Sequence, residues 1–349
     1  MPGQDIQDWL SLHKIINDNI SIVDRSGVLK LPIRTQVAPH LIMPSYDPDF
    51  SMTYEECCQL SARELIARQE RLDIPIRILY SGGIDSSLVL VSLIKELGLA
   101  AAEWRIELVM NMESIEENPW MWEKIIRTSK IRLVNGEQHS ADWGKDRILV
   151  GGEFNDQLLG MDTYKDLVRW RGEGILIQPW TETIMTDYFL YKGLDRRLAE
   201  KWTHLWSVQL LAAPCAVETV ADWWWWLNFS CKWTSVYFSS LSYVLNPANI
   251  NQDYLKDYYC QFFGSDDFQR WSMKDTTHKH KGTILSYKWH SKKLIAEFLG
   301  SPEFLQKIKR GSFWNLIALK RGVDAIDNEY NYIWKISQSE WYSPTNSFN

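Results

Sequence analysis

The sequence predicts an α/β fold, a parallel sheet covered by helices on both faces and followed by a helical C-terminal region. Three observations carry this prediction. Between residues 74 and 151 short aliphatic runs alternate with helical periodicity, the pattern of right-handed strand–helix–strand crossovers. A turn containing Gly82-Gly83 separates the first such strand from a nearly all-apolar helix. After about residue 185 strand signals give way to helical ones.

Residues 1–50 read as an N-terminal extension: "ISIVDRSGVLKLP" suggests a short hairpin about Ser26-Gly27, and "APHLIMPSYDPDF" a Pro-punctuated loop. Met52–Leu72 has the pattern of an amphipathic helix, with Thr53 and Glu56 spaced as a capping box. "IPIRILY" then reads as a strand ending at Tyr80, and "SSLVLVSLIKELG" as a helix beginning near Ser87 and ending at Gly98. "RIELVM" is a second strand, "PWMWEKIIRTS" a helix, and "IRLV" and "RILVG" two more strands. These elements place a Rossmann-like core in residues 51–185. Residues 186–349 read as helical through "SVQLLAAPCAVETVADWWWWLNF", "DYLKDYYCQFF" and "KKLIAEFLG".

The formal net charge of -6 gives no global field for attracting phosphate backbones, so nucleic-acid or anionic-membrane binding is disfavoured as the main function. Five cysteines without a CxxC spacing argue against structural zinc, and a polar N-terminus without signal-peptide character points to a reducing cytoplasm. No apolar run reaches the ~20 residues needed to span a bilayer. The tryptophans at 223–226 have two readings, core packing or a flat apolar substrate surface.

The stretch "LYSGGIDSSLVL" has the makings of an anion site. A strand, a glycine turn and a helix start put unpaired N–H groups at a positive helix end. Gly82 and Gly83 permit positive φ and close backbone approach, and Ser81 and Ser86 offer hydroxyl donors. Asp85 would repel phosphate unless a metal stood between them, which suggests Mg²⁺. The competing reading is a Gly-Gly turn with Asp or Ser as an ordinary helix cap. Neither GxxxxGK[ST] nor GxGxxG is present, so the site is not of those two kinds.

SGGIDSS resembles the pyrophosphate loop of the ATP pyrophosphatase (PP-loop) superfamily, and "RLDIPIRILYSGGIDSSLVLVSLI" is most similar to the synthetase domain of asparagine synthetases, also found in β-lactam synthetases and lasso-peptide cyclases. A second segment, "RILVGGEFNDQLLG", resembles that family's strand followed by GEGxDE, with Phe154 in place of Gly and Gln157 in place of Glu. The interval from Asp85 to Asp156 leaves room for about two βαβ steps of ~30 residues. A third, looser segment, "YKWHSKKLIAEFLGSPEFLQKIKRGSF", resembles the family's late lysine-bearing stretch, with Ser312 as an extra residue; it contributes Lys288, Lys292, Lys307 and Lys309.

The resemblance implies ATP and Mg²⁺ as cofactors, Ser81, Gly82, Gly83, Asp85, Ser86, Ser87, Gly151 and Gly152 as the ATP and pyrophosphate cradle, and Asp85 and Asp156 as Mg²⁺ ligands. It further implies Glu153 as acid or base beside the reacting carbonyl, and Lys288 and Lys309 as catalytic cations. The expected activity is AMP-forming amide ligation, in which a small-molecule or peptide carboxylate is adenylated and then attacked by ammonia or an amine. The family's glutaminase nucleophile, a cysteine after the initiator Met, is Pro2 here, so glutamine hydrolysis is not expected. Nitrogen could come from free ammonia, a separate glutaminase subunit or an amine.

Rival readings are an ATP pyrophosphatase acting on a nucleobase or tRNA and a non-catalytic nucleotide-binding module. Residues 270–310, with ten Lys or Arg against Asp275, Glu297 and Glu303, allow the first. Phe154 and Gln157 suggest the second. A serine hydrolase is disfavoured because no GxSxG elbow occurs. His278, His280 and His290 read as loop residues rather than a metal site.

Overall fold

The computed structural model describes residues 7–8, 23–29, 41–135, 146–160, 164–244, 251–274, 279 and 282–308. In chain order the elements are α1 (Tyr54–Leu72), β1 (Ile76–Leu79), α2 (Ile84–Leu97), α3 (Leu99–Arg105), β2 (Ile106–Met110), α4 (Met112–Glu117), the single turn α5 (Pro119–Met121), β3 (Arg132–Asn135) and β4 (Ile148–Gly151). There follow α6 (Asn155–Leu159), α7 (Tyr164–Arg171), α8 (Glu182–Tyr191), α9 (Arg196–Leu211), α10 (Val220–Cys231), α11 (Trp233–Val244), α12 (Gln252–Asp257), β5 (Tyr259–Gln261), α13 (Asp266–Lys274) and α14 (Trp289–Leu299). They divide into a sheet unit, Thr53–Glu153 with Ser242–Gly264 and His290–Asn349, and a helical unit, Met1–Met52 with Phe154–Leu241 and Ser265–Trp289.

In the sheet unit five parallel strands run in the order β3-β2-β1-β4-β5. The fold is therefore α/β, with the helical region following, as the alternation of periods predicts. Strand residues such as Ile76, Ile78, Leu108 and Val150 are fully buried, which explains why these strands read as continuous apolar runs rather than alternating ones. One row departs from this rule. Arg77 faces Glu107 in register and Glu107 faces Arg132, and the Glu107 carboxylate binds both guanidinium groups, at 2.5 Å and 2.7 Å. Arg147 adds a third contact at 3.3 Å. Buried arginine is tolerated only with such a partner, and removing Glu107 alone would cost about 3–5 kcal/mol.

Helix α1 begins with the capping box read from the sequence, and α2 packs on it. Every residue of α2 from Ser86 to Ile94 is buried, as the near absence of charge in "SSLVLVSLI" requires. Gly98, at φ 74°, ends it. The segment "DYLKDYYCQFF" corrects the sequence expectation of helix. It forms α12 and then β5, whose residues Tyr259, Cys260 and Gln261 pair with Leu149, Val150 and Gly151.

In the helical unit Trp223, Trp224, Trp225 and Trp226 are all buried, which settles their role as core rather than substrate surface. Trp225 donates its indole N–H to Ser272 Oγ at 3.0 Å. The stretch from residue 207 to 229, read as helical, forms the end of α9 and most of α10, with Pro214 between them. Residues 23–29 form a turn organised by the Asp24 carboxylate, which accepts from the N–H groups of Ser26 and Leu29, and no strand lies among them. This segment supplies the donors that the C-terminus of α10 lacks: Val23 N–H to Cys231, Arg25 N–H to Ser230, and Arg25 Nε to Phe229. The Arg25 guanidinium lies over the Phe229 and Trp233 rings, 4.6 and 4.2 Å from their centroids.

Candidate functional site

The glycine turn leaves the carboxyl end of β1, the second of whose neighbours is β4. Tyr80 N–H bonds Val109 O at 2.9 Å, so the strand direction persists through Tyr80 although the ladder ends at Leu79. Helix α2 starts at Ile84, three residues earlier than the sequence expectation, which puts Asp85 and Ser86 in its first turn. Gly82 has φ 73°, and a Cβ there would run into the Ser114 carbonyl oxygen; only glycine fits. Gly83 occupies the N-cap without any side-chain cap.

The amino end of α2 carries no side-chain cap. Ser81 N–H donates to Ser86 Oγ at 3.2 Å and Gly83 N–H to Ser81 Oγ at 3.3 Å. Ser87 N–H begins the helix by bonding Gly83 O. Among the described residues no acceptor takes the N–H groups of Gly82, Ile84 and Ser86. The Ser81 and Ser86 hydroxyls lie 3.2 Å apart at the same end.

The second motif emerges beside the first. Strands β1 and β4 pair in parallel through Ile76–Ile148, Arg77–Leu149 and Ile78–Val150, where the strand order reverses. Ligands of open parallel sheets sit in the crevice at this switch point. Gly152 lies so near the loop that a Cβ would stand 3.3 Å from the Asp85 carbonyl carbon and 3.4 Å from Ser86 N. Gly151 lies under Gln261, whose Oε1 would be 2.8 Å from an added Cβ. Gln261 in turn accepts the Glu153 N–H at 3.4 Å and donates to Tyr259 Oη. Ser81, Gly82, Gly83, Asp85, Ser86, Ser87, Gly151, Gly152 and Glu153 thus gather at one edge of the sheet unit. Gln261 was hidden from sequence reading because β5 was.

Asp156 and Lys288 belong to the helical unit. Asp156 lies in the first turn of α6, and its Oδ1 accepts from Lys288 Nζ at 2.7 Å and from Tyr287 Oη at 2.5 Å. Its carbonyl accepts from Asn228 Nδ2 at 3.1 Å. The Lys288 side chain is 1% exposed and its backbone has φ 52°, a left-handed conformation that a non-glycine residue holds only when its surroundings enforce it. Phe154 and Gln157 are absorbed into packing: Phe154 stacks on Trp233 at 4.0 Å between centroids, and Gln157 Nε2 reaches Asn228 Oδ1 at 3.5 Å.

Beneath the glycine turn lie groups of which only Lys307 belongs to a segment singled out in the sequence. Ser114 Oγ donates to Tyr80 O at 2.8 Å, Asn118 Nδ2 to Ser87 Oγ at 2.8 Å, and Glu117 pairs with Lys307 at 2.8 Å. Burial pushes the Tyr80 phenol up from its ordinary range. His290 sits against the Tyr54 ring at 5.7 Å, while Lys309, His278 and His280 lie outside the described residues. No group of three metal-ligating side chains occurs among the described residues, and no helix among them is long and apolar enough to cross a membrane. A cavity of about 360 Å³ opens at the opposite, amino ends of the strands, lined by Gln69, Asp73, Trp104, Glu107 and Arg132. Compared with protein-family models, with curated proteins and with solved structures, the chain matches none.

Proposed function

We propose that the protein is an ATP-dependent, AMP-forming amide ligase of the asparagine synthetase type. The reading rests on one observation above the others: two glycine-rich segments leave adjacent strands at the switch point, with Gly152 packed against Asp85 and Ser86 at an uncapped helix start. A polyphosphate fits such an edge, because the N–H groups of Gly82, Ile84 and Ser86 find no acceptor among the described residues and a Cβ at Gly82 has no room. One carboxylate beside it, Asp85, suits Mg²⁺, whose sites are completed by phosphate oxygens and water. The ion would supply charge neutralisation between carboxylate and phosphate.

In this reading the amides and the Ser81 and Ser86 hydroxyls hold the leaving pyrophosphate. A substrate carboxylate oxygen bonds to the α-phosphorus as the bond to the pyrophosphate oxygen breaks. Ammonia or an amine then attacks the activated carbonyl, AMP departs, and Glu153 takes the proton the nitrogen loses. The resemblance gives Lys288 and Lys309 the task of contributing positive charge to the phosphoryl oxygens.

Incubation with Mg²⁺-ATP, candidate carboxylates and ammonia should release AMP and pyrophosphate in equal amounts. Release of ADP and phosphate instead would reject the mechanism. A second reading, a non-catalytic nucleotide-binding module, is favoured by the packing of Phe154 and Gln157 into the helical core. It requires ATP binding with no AMP from any carboxylate.

A further inference from the structure

The glycine turn is braced from below by helix α4 and a buried ion pair. Asn111 caps α4, and Ser114, one turn in, holds the Tyr80 carbonyl. The Ser114 carbonyl lies against Gly82, and Glu117 Cβ is 3.0 Å from where a Gly82 Cβ would stand. At the end of α4 the Glu117 carboxylate, 3% exposed, meets Lys307 Nζ, whose side chain is 5% exposed, at 2.8 Å. The same Nζ donates to the Glu117 carbonyl. Lys307 follows the single turn Pro302–Gln306, which is tied down where Lys124 Nζ bonds Ser301 Oγ at 2.5 Å.

Two charges removed from water are a poor way to add stability, since an apolar pair of the same volume does as well or better. What the pair adds is a fixed position and a cancelled charge. A lone carboxylate under Gly82 would repel any phosphate on the turn above it, and in a low-dielectric interior that repulsion reaches across several ångströms. We infer that Lys307 is a positioning residue for the polyphosphate: paired with Glu117, it holds α4 beneath the glycine turn and removes the carboxylate's repulsion of bound pyrophosphate. The inference rests on the phosphate reading proposed above.

Titration calorimetry on the full chain with pyrophosphate and with Mg²⁺-ATP, together with thermal unfolding of each variant, tests it. Lys307→Met should weaken both ligands by about tenfold or more, because Glu117 loses the buried cation that offsets its charge. Lys307→Arg should bind within about threefold of the wild type, and Glu117→Gln combined with Lys307→Met should recover most of the loss, since no charge remains. A folded Lys307→Met variant that binds like the wild type would overturn the inference while leaving the phosphate reading intact. Should that variant not fold, the double variant decides: affinity within about threefold of wild type supports the inference, and a tenfold deficit defeats it. Wild-type protein that binds neither ligand would sink the phosphate reading and this inference with it.

Discussion

Helices α1 and α2 pack against each other in one unit, and their amino ends are built in opposite ways. Thr53 closes α1: its hydroxyl accepts the Glu56 N–H at 3.2 Å, while the Glu56 carboxylate accepts the Thr53 N–H at 2.7 Å. Glu55 and Glu56 add negative charge where the helix dipole is positive. At α2 two glycines stand where a cap would be, one of them in a left-handed conformation, and three N–H groups find no acceptor among the described residues. A serine or aspartate cap in place of Gly83 would add only about a few tenths of a kcal/mol. One helix start is closed by two reciprocal bonds and its neighbour by no side-chain cap, which is the contrast the proposed phosphate site requires.

The contrast can be broken most forcefully at Gly82. Gly82→Ala should destabilise the protein by more than about 2 kcal/mol in urea unfolding, from left-handed strain and overlap with Ser114, and should abolish Mg²⁺-ATP binding. Asp85→Asn should leave the urea midpoint nearly unchanged yet lower AMP formation by about 10²-fold, the usual penalty for removing one charge-stabilising group. Equal loss of stability and activity in that variant would make Asp85 an ordinary first-turn acid. Thr53→Ala, by contrast, should cost about 1 kcal/mol of stability with AMP formation unchanged, because its cap serves the helix alone.

The smallest effect concerns pH. The Thr53 N–H and hydroxyl donate to the Glu56 carboxylate and hold it below the usual glutamate range. A carboxyl more acidic folded than unfolded contributes stability above its unfolded range and loses it as pH falls through the folded one. Comparing urea midpoints at about pH 7 and about pH 3, the decrease should be slightly larger for wild type than for Glu56→Gln.

Much of the sheet was legible because parallel strands buried on both faces are apolar throughout and their helices are periodic. The Thr53–Glu56 box is a local signal and was read residue for residue. The start of α2 was misplaced to Ser87 because Ile84-Asp85 looks like part of the turn, whereas the absent cap lets the helix begin directly after Gly83. Strand β5 was illegible: "YCQ" sits in an aromatic run that fits either period, and its strand state is imposed by pairing with a distant β4. The same distance hid Gln261 beside Gly151. Lys307 stood in the lysine-bearing segment, but Glu117 was silent, and nothing local in "MESIEE" or "LQKIK" tells that the two side chains meet. Lys288 and Asp156 were named from motifs, but their ion pair with Tyr287 came only with coordinates.

The most direct test of the open helix end is to follow the backbone amide resonances of both amino ends while pyrophosphate and then Mg²⁺-ATP are added. Saturable shifts at Gly82, Gly83, Ile84 and Ser86, with Tyr54, Glu55 and Glu56 unmoved, are the predicted result. Unmoved amides at the start of α2 at saturating nucleotide would contradict the account.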